Sequence, residues 1–211
     1  MIRYPTLIVH GFLATRATNL PVHLALRRYG FRTYNVTIPG WNTQDIRDSA
    51  AAVGEKAAYL KKKYDSDRIN IVGVSMGGVI ALYYVRCAGG HVDTRRTVLL
   101  GSPVRGTAAA DVLAKLGLGG KAARQMAPGS PIIKAMNAPD VPEADIVSIY
   151  ADGDAVVPPE AARVAGGRNI KAPIGTWPMG HYQLVLDPRN LAFMAQELLR
   201  PGPDEEDSLD D

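Results

Sequence analysis

Two rhythms of apolar residues alternate along the chain. Short aliphatic and β-branched runs break off at glycine or at polar pairs, and between them apolar positions recur at spacings of three and four. Leu7-Ile8-Val9, Arg32 to Thr37, Ile69 to Val72, Val98-Leu99-Leu100, Ile146 to Tyr150 and Asn169-Ile170-Lys171 have the length and composition of strands. Helices fall between them. One opens at Thr18-Asn19 with Pro21 and stops at Gly30. A longer one, with Thr43 as its expected cap, carries Ile46, Ala50, Val53, Ala57 and Leu60 on one face. Val79 to Val85 is an unbroken apolar helix, and Asp187-Pro188 opens a last one with Leu191, Met194, Leu198 and Leu199 inward until Pro201. Strand and helix in alternation predict βαβ units and a mostly parallel sheet of about six strands, the α/β class.

One stretch departs from that rhythm. Residues 104–142 are long for a crossover and are interrupted by Gly117 to Gly120, Pro128-Gly129, Pro131 and Pro139, with two short helical pieces expected between. Val112, Leu113, Leu116, Leu118, Ile132, Ile133 and Met136 make the stretch apolar, so it reads as a small helical cap inserted into a single domain of residues 1–201. The alternative is a surface excursion packed on the core.

Composition adds limits. With 211 residues, 46% apolar and 21% charged, the chain is an ordinary globular length and mix. Its net charge of +3 conceals an uneven balance, because residues 203–211 hold six acidic side chains and no basic one. Residues 202–211 therefore read as a disordered acidic tail. No Lys/Arg stripe interleaved with aromatics points to nucleic acid, and Lys61-Lys62-Lys63 fits the negative end of a helix dipole. Cys87, the only cysteine, cannot form an internal disulfide and is expected to be a buried thiol. No run is long enough for a membrane span, and no signal sequence precedes the first strand, so the expected location is cytoplasmic, or secreted where a leader has been removed.

The chemistry centres on Gly73-Val74-Ser75-Met76-Gly77, a G-x-S-x-G pattern between a strand and a helix. A serine in such a turn has a strained backbone, and glycines at 73 and 77 remove the Cβ atoms that would collide with neighbouring elements. The helix that follows points its free N–H groups and positive dipole end toward the serine. A serine hydroxyl needs a base, and the base a carboxylate. Of the four histidines, His10, His23 and His91 lie early or beside the turn, whereas His181 lies on a loop after the last strand, where a Ser…Asp…His order requires the base. Asp152 and Asp154 both follow the Ile146–Tyr150 strand; Asp154 is favoured because the apolar Ala155-Val156-Val157 can bury it. Phe12 and Met76 are the expected backbone donors to an oxyanion, and His10 a structural residue holding its loop.

Five blocks in fixed order carry a family likeness: His10-Gly11-Phe12, the run from Gly73 to Gly78, the run from Gly101 to Thr107, the run from Ile149 to Val157, and Gly180-His181 with Leu184. Over residues 4–199 the chain resembles bacterial lipases and esterases of the α/β-hydrolase superfamily, particularly small single-domain lipases. The resemblance implies ester hydrolysis through an acyl-enzyme, with Ser75, Asp154 and His181 as the triad and no cofactor. It departs where Val74 replaces a frequent histidine and where a leader is missing. Some relatives hold a structural metal; none is expected here. The expected partner is a small-molecule or lipid ester, with at most transient contact with a lipid interface. A thioesterase, a lipid acyltransferase, or a non-catalytic ligand-binding protein on the same scaffold are the alternatives.

Overall fold

The computed structural model describes residues 4–38, 40–174 and 179–202. The expected acidic tail, apart from Gly202, lies outside the described residues. Six strands form one parallel sheet: β1 (Thr6–Val9), β2 (Thr33–Asn35), β3 (Ile69–Val74), β4 (Thr94–Leu100), β5 (Ile146–Tyr150) and β6 (Arg168–Lys171). Their order across the sheet is β2-β1-β3-β4-β5-β6. The helices are α1 (Leu20–Arg28), α2 (Ile46–Tyr64), α3 (Met76–Cys87), α4 (Ala108–Lys115), α5 (Gly120–Gln125), α6 (Pro131–Met136), α7 (Pro159–Ala162), α8 (Gly180–Leu186) and α9 (Pro188–Leu199). None is long and apolar enough to cross a membrane among the described residues.

Side chains alternate across the strands and so build two cores. Leu7, Val9, Ile69, Ile71 and Leu99 face α2 and α3, while Ile8, Val72, Val98, Leu100, Val147 and Ile149 face α1 and α9. After β2 the chain crosses back over β1 to begin β3, so the direction of strand addition reverses between β1 and β3. Open parallel sheets bind ligands in the crevice beyond the C-terminal ends of strands at such a reversal. Here those two ends lead into Gly11-Phe12 and Ser75.

Residues 104–142 hold three helices, not two, because Gly119 and Gly120 at positive φ separate α4 from α5. Their packing is uneven. Ile132, Ile133 and Met136 of α6 are buried in the core that contains α2 and α3, and Ala122 of α5 joins them. Along α4 and just past it, Val112, Leu116 and Leu118 are exposed. Cys87 is exposed, contrary to expectation: it ends α3 where the helix runs past the core, and Ala88 and Gly89 beside it are exposed too.

Helix α2 is capped by Asp45 and not by Thr43, whose hydroxyl and N–H instead bond the Gly40 carbonyl. The Asp45 carboxylate accepts from the Arg47 N–H at 3.0 Å and pairs with the Arg47 guanidinium at 2.7 Å; Gln125 accepts the Ile46 N–H at 2.7 Å. Replacing the cap by Asp45→Ala is expected to destabilise the fold by about 1–2 kcal/mol, read as a lower urea midpoint at unchanged slope. The Arg47 hydrogen bond holds the Asp45 carboxyl well below the usual carboxylate range. A carboxyl whose pKa is lower folded than unfolded contributes fully above its unfolded value and loses that contribution as the pH falls. The gap between wild type and variant should therefore be full at pH 7 and narrow below about pH 4.

Candidate active site

Strand β3 ends at Val74, and α3 begins at Met76, leaving Ser75 as the whole turn between them. Its φ of 53° and ψ of −125° lie where a side chain is resisted. Around it the backbones are so close that only glycine fits. A Cβ on Gly73 would stand 2.4 Å from the Gly78 Cα, one on Gly77 would be 2.1 Å from the Val9 carbonyl oxygen, and one on Gly78 would meet the Ser102 hydroxyl at 1.9 Å. The first two clashes match the pattern reading. The requirement at Gly78 depends on Ser102, a contact between the turn after β4 and α3 that a local pattern does not show.

His181 reaches the serine from the far end of the chain. It was expected on a loop but lies in the first turn of α8, which opens at Gly180 behind Met179 with no side-chain cap, so the polar residue that usually marks a helix start is missing. Met179, just before it, forms an antiparallel bridge to Asp154. That bridge sets imidazole and carboxylate face to face. His181 Nδ1 lies 2.8 Å from Asp154 Oδ2, and Nε2 lies 3.1 Å from Ser75 Oγ. The Val156 and Val157 N–H groups each donate to Asp154 Oδ1 at 2.8 Å. With the carboxylate accepting on both oxygens, Nδ1–H is the donor toward Asp154, and Nε2 is left to accept from the Ser75 hydroxyl. The Asp154 side chain is 1% exposed and that of His181 14%. Gly101, at φ +54°, forms the wall behind them; a Cβ there would sit 3.3 Å from His181 Nδ1 and 2.7 Å from Leu184.

The structure separates the two aspartates after β5. Asp152 pairs with Lys171 of β6 and faces solvent, away from this chain of hydrogen bonds. The other histidines are apart from it as well. His10 is buried with Nδ1 3.1 Å from the Gly11 carbonyl oxygen, and burial lowers its pKa, so the ring is neutral at neutral pH. His23 bonds Thr33 at 2.8 Å, and His91 lies on a short 3-10 turn, Gly90–Val92.

Met76 follows the serine directly, and Phe12 follows Gly11. Met76 is the first residue of α3, so its N–H has no partner within the helix. Gly11 lies against the elbow, since a Cβ on it would be 3.2 Å from Ser75 Cβ and 3.7 Å from Ser75 Oγ. The Phe12 N–H that follows has no backbone acceptor among the described residues.

An apolar cleft of about 360 Å³ opens beside this loop, lined by His10, Ala14, Val36, Ile38 and Trp41. A larger one, about 1080 Å³, lies at the opposite end of the strands near Arg86, His91 and Asn137; neither cleft is lined by Ser75, Asp154 or His181. Among the described residues no group of three His, Cys, Asp or Glu side chains could hold a metal ion.

Residues 6–207 match the model of a family described as the Alpha/beta hydrolase family. Among solved structures, the mature lipase BlEst2 of Bacillus licheniformis superposes with a TM-score of 0.74 at 16% identity, covering 90% of this chain and 89% of that one. Lipase B of Aspergillus fumigatus gives 0.79 at 16% identity over 99% of this chain, which spans only 55% of that protein. The esterase EaEST of Exiguobacterium antarcticum gives 0.66 at 18% identity over 92% and 90% of the two chains. At such identities the likeness is one of fold. No curated protein matches the sequence.

The packing around the turn yields a test of stability. Gly77→Ala would drive a methyl group into the Val9 carbonyl, backbone against backbone, with no flexible side chain to yield. A loss of about 3 kcal/mol or more is expected, at the upper end of overpacking costs. Denaturant unfolding should show it, and a variant as stable as wild type would mean that β1 and α3 are not in that contact.

Proposed function

The chain belongs to the alpha/beta hydrolase family, and on that premise we propose that it is a serine carboxylic-ester hydrolase working through an acyl-enzyme. What carries the proposal is the unbroken relay of two hydrogen bonds from Ser75 through His181 to Asp154. In this reading, Ser75 Oγ attacks the ester carbonyl carbon as its proton passes to His181 Nε2. The charge that develops on the carbonyl oxygen is met by the Phe12 and Met76 N–H groups. Collapse of the tetrahedral adduct breaks the bond to the alcohol, which leaves with the proton from Nε2. A water molecule, giving its proton to the same nitrogen, then cleaves the acyl-serine, and the acid departs as Oγ regains its proton. Asp154 holds the imidazole in the tautomer this exchange needs and offsets its charge when protonated.

The surroundings favour an ester with an apolar acyl chain. Leu13 and Trp41 after β1 and β2, Leu116 and Leu118 after α4, Val156 after β5 and Tyr182 beside His181 are all exposed. Each stands on a connection leaving the C-terminal edge of the sheet, where the serine lies. Two contacts tie the α4 segment into this collar: Gly119 is closed off by the Phe12 ring, and the Thr107 hydroxyl donates to the Val156 carbonyl at 2.9 Å. We assign this segment the covering role for the acyl chain, and the apolar collar brief contact with a lipid interface. Scattered apolar residues on a surface need no explanation, but a collar around one site does.

The test compares p-nitrophenyl butyrate and palmitate. Ser75→Ala and His181→Ala should each lose essentially all hydrolysis. Asp154→Asn should lower kcat by roughly 10³- to 10⁴-fold, as expected when the imidazole is left in the wrong tautomer. Asp152→Asn should stay within about threefold of wild type, because its charge is solvated and engaged with Lys171. Hydrolysis that survives Ser75→Ala, or equal losses at the two aspartates, would overturn the assignment.

A further inference from the structure

Between β2 and α2 the chain passes through three consecutive residues at positive φ: Gly40 at 64°, Trp41 at 56° and Asn42 at 59°. Two of them carry side chains, and the second, Asn42, is 1% exposed. Its Nδ2 donates to the His10 carbonyl at 2.9 Å and to the Gly11 carbonyl at 3.3 Å. Its Oδ1 accepts from the hydroxyl of Ser49, on α2, at 3.4 Å. Only one orientation of the amide satisfies these partners, since the two backbone oxygens can only accept. The Leu13 N–H donates to the Trp41 carbonyl at 3.0 Å, so the two strained loops are also joined by their backbones.

The consequence lies on the other side of one peptide plane. Carbonyl and N–H of a trans peptide point in opposite directions, and no cis bond occurs among the described residues. Holding the Gly11 oxygen toward Asn42 therefore turns the Phe12 N–H the opposite way. Gly11 itself lies against the serine, a Cβ on it falling 3.7 Å from Ser75 Oγ. We propose that Asn42 is a positioning residue for the oxyanion site: by anchoring the His10 and Gly11 carbonyls it keeps the Phe12 N–H aimed at the oxygen of the carbonyl group attacked by Ser75. This rests on the ester-hydrolase reading above. It accounts for asparagine at the position twice, because asparagine accepts a left-handed backbone more readily than other side chains and supplies two N–H donors where glycine supplies none. Donors fixed before charge develops need no reorganisation when it does, which is why their aim matters more than their presence.

Two variants and an inhibitor test it. Asn42→Gly keeps the backbone conformation and removes the anchor. With p-nitrophenyl butyrate, kcat should fall roughly 10- to 100-fold, less than the 10²–10³ typical of deleting an oxyanion donor outright. KM should move less than about threefold, and the inhibition constant of an alkyl trifluoromethyl ketone, whose adduct carries the oxyanion, should rise by the same factor as kcat falls. Asn42→Asp keeps the shape but faces two carbonyls with a carboxylate. Its rate relative to wild type should rise as the pH is lowered and a protonated carboxyl regains a donor. Complete labelling of Ser75 by a fluorophosphonate in both variants shows that the fold and nucleophile are intact. Labelled variants with kcat and ketone inhibition at wild-type values, or with losses in KM alone, would overturn the role of Asn42 while leaving the hydrolase reading in place. A wild type that neither labels nor hydrolyses would overturn both.

Discussion

The backbone of Ser75 is held in a conformation that a residue with a side chain resists, and the rest of the molecule is arranged to hold it there. Such a residue costs on the order of 1–3 kcal/mol and persists only where its surroundings over-determine it. Here its N–H donates to the Leu100 carbonyl at 2.8 Å, and its own carbonyl accepts from the Gly78 N–H at 2.9 Å. The turn is thus tied to β4 on one side and to its own helix on the other. Gly73 and Gly77 let β1, β3 and α3 approach until their backbones touch, and Gly78 leaves room for the Ser102 side chain that follows β4. The strain is offset by burial that a looser elbow could not achieve: Val79, Ile80 and Leu82, the first full turn of α3 beyond the glycines, are completely buried. The same compression brings the segment after β1 against the serine, so the proposed oxyanion loop and nucleophile arise from a single packing decision.

The acid and base of the proposed triad arrive by a separate route. Asp154 and His181 are 27 residues apart and belong to different connections, and each would be costly to bury alone. An ionised carboxylate taken from water is tolerated only where its oxygens are satisfied. Asp154 receives the Val156 and Val157 N–H groups on one oxygen and the imidazole on the other. The strand-like bridge to Met179 brings the second segment in by backbone alone, independent of the side chains it delivers. Gly101 and Gly180 then serve one purpose, to let β4 and α8 close on the pair. A Cβ on Gly180 would press on the Ala151 Cβ and the Asp154 N–H at 3.1 Å.

Much of this was legible in the sequence because it is local. The strand runs, the serine between glycines, and the pairing of His181 with Asp154 in place of Asp152 all follow from periodicity, chain order or neighbours a few residues away. What was not legible depends on contacts across the fold. Gly78 is required by Ser102, 24 residues on. Asp45 was overlooked because Thr43 fits a cap equally well on paper; what settles the choice is the Arg47 side chain and the Gln125 amide arriving from α5. The apolar neighbours of Cys87 pointed inward, but the helix simply outlasts its core. Asn42 gave no signal whatever, since an asparagine after Pro-Gly-Trp reads as a turn residue and nothing more.

Asn42 also shows how the two halves of the site depend on each other. The residues that follow it enter α2, whose N-terminus is closed by Gln125 of α5, and the Thr43 carbonyl accepts the Ala122 N–H at 3.2 Å. The same segment that carries the exposed Leu116 and Leu118 is thereby fastened, one helix later, to the loop that holds the proposed oxyanion donor. A polar floor and an apolar collar have opposite needs: the first must be rigid and fully hydrogen-bonded, the second open to a chain of uncertain length. Dividing residues 104–142 between them meets both needs. Its C-terminal part buries one face of α5 and α6 and braces the loops beneath, while Val112 of α4 and Leu116 and Leu118 just past it stay exposed. Water excluded by an acyl chain lying along α4 would strengthen every hydrogen bond in the floor, so under the proposed reaction the collar contributes to the chemistry through the very exposure that makes it look unfinished in isolation.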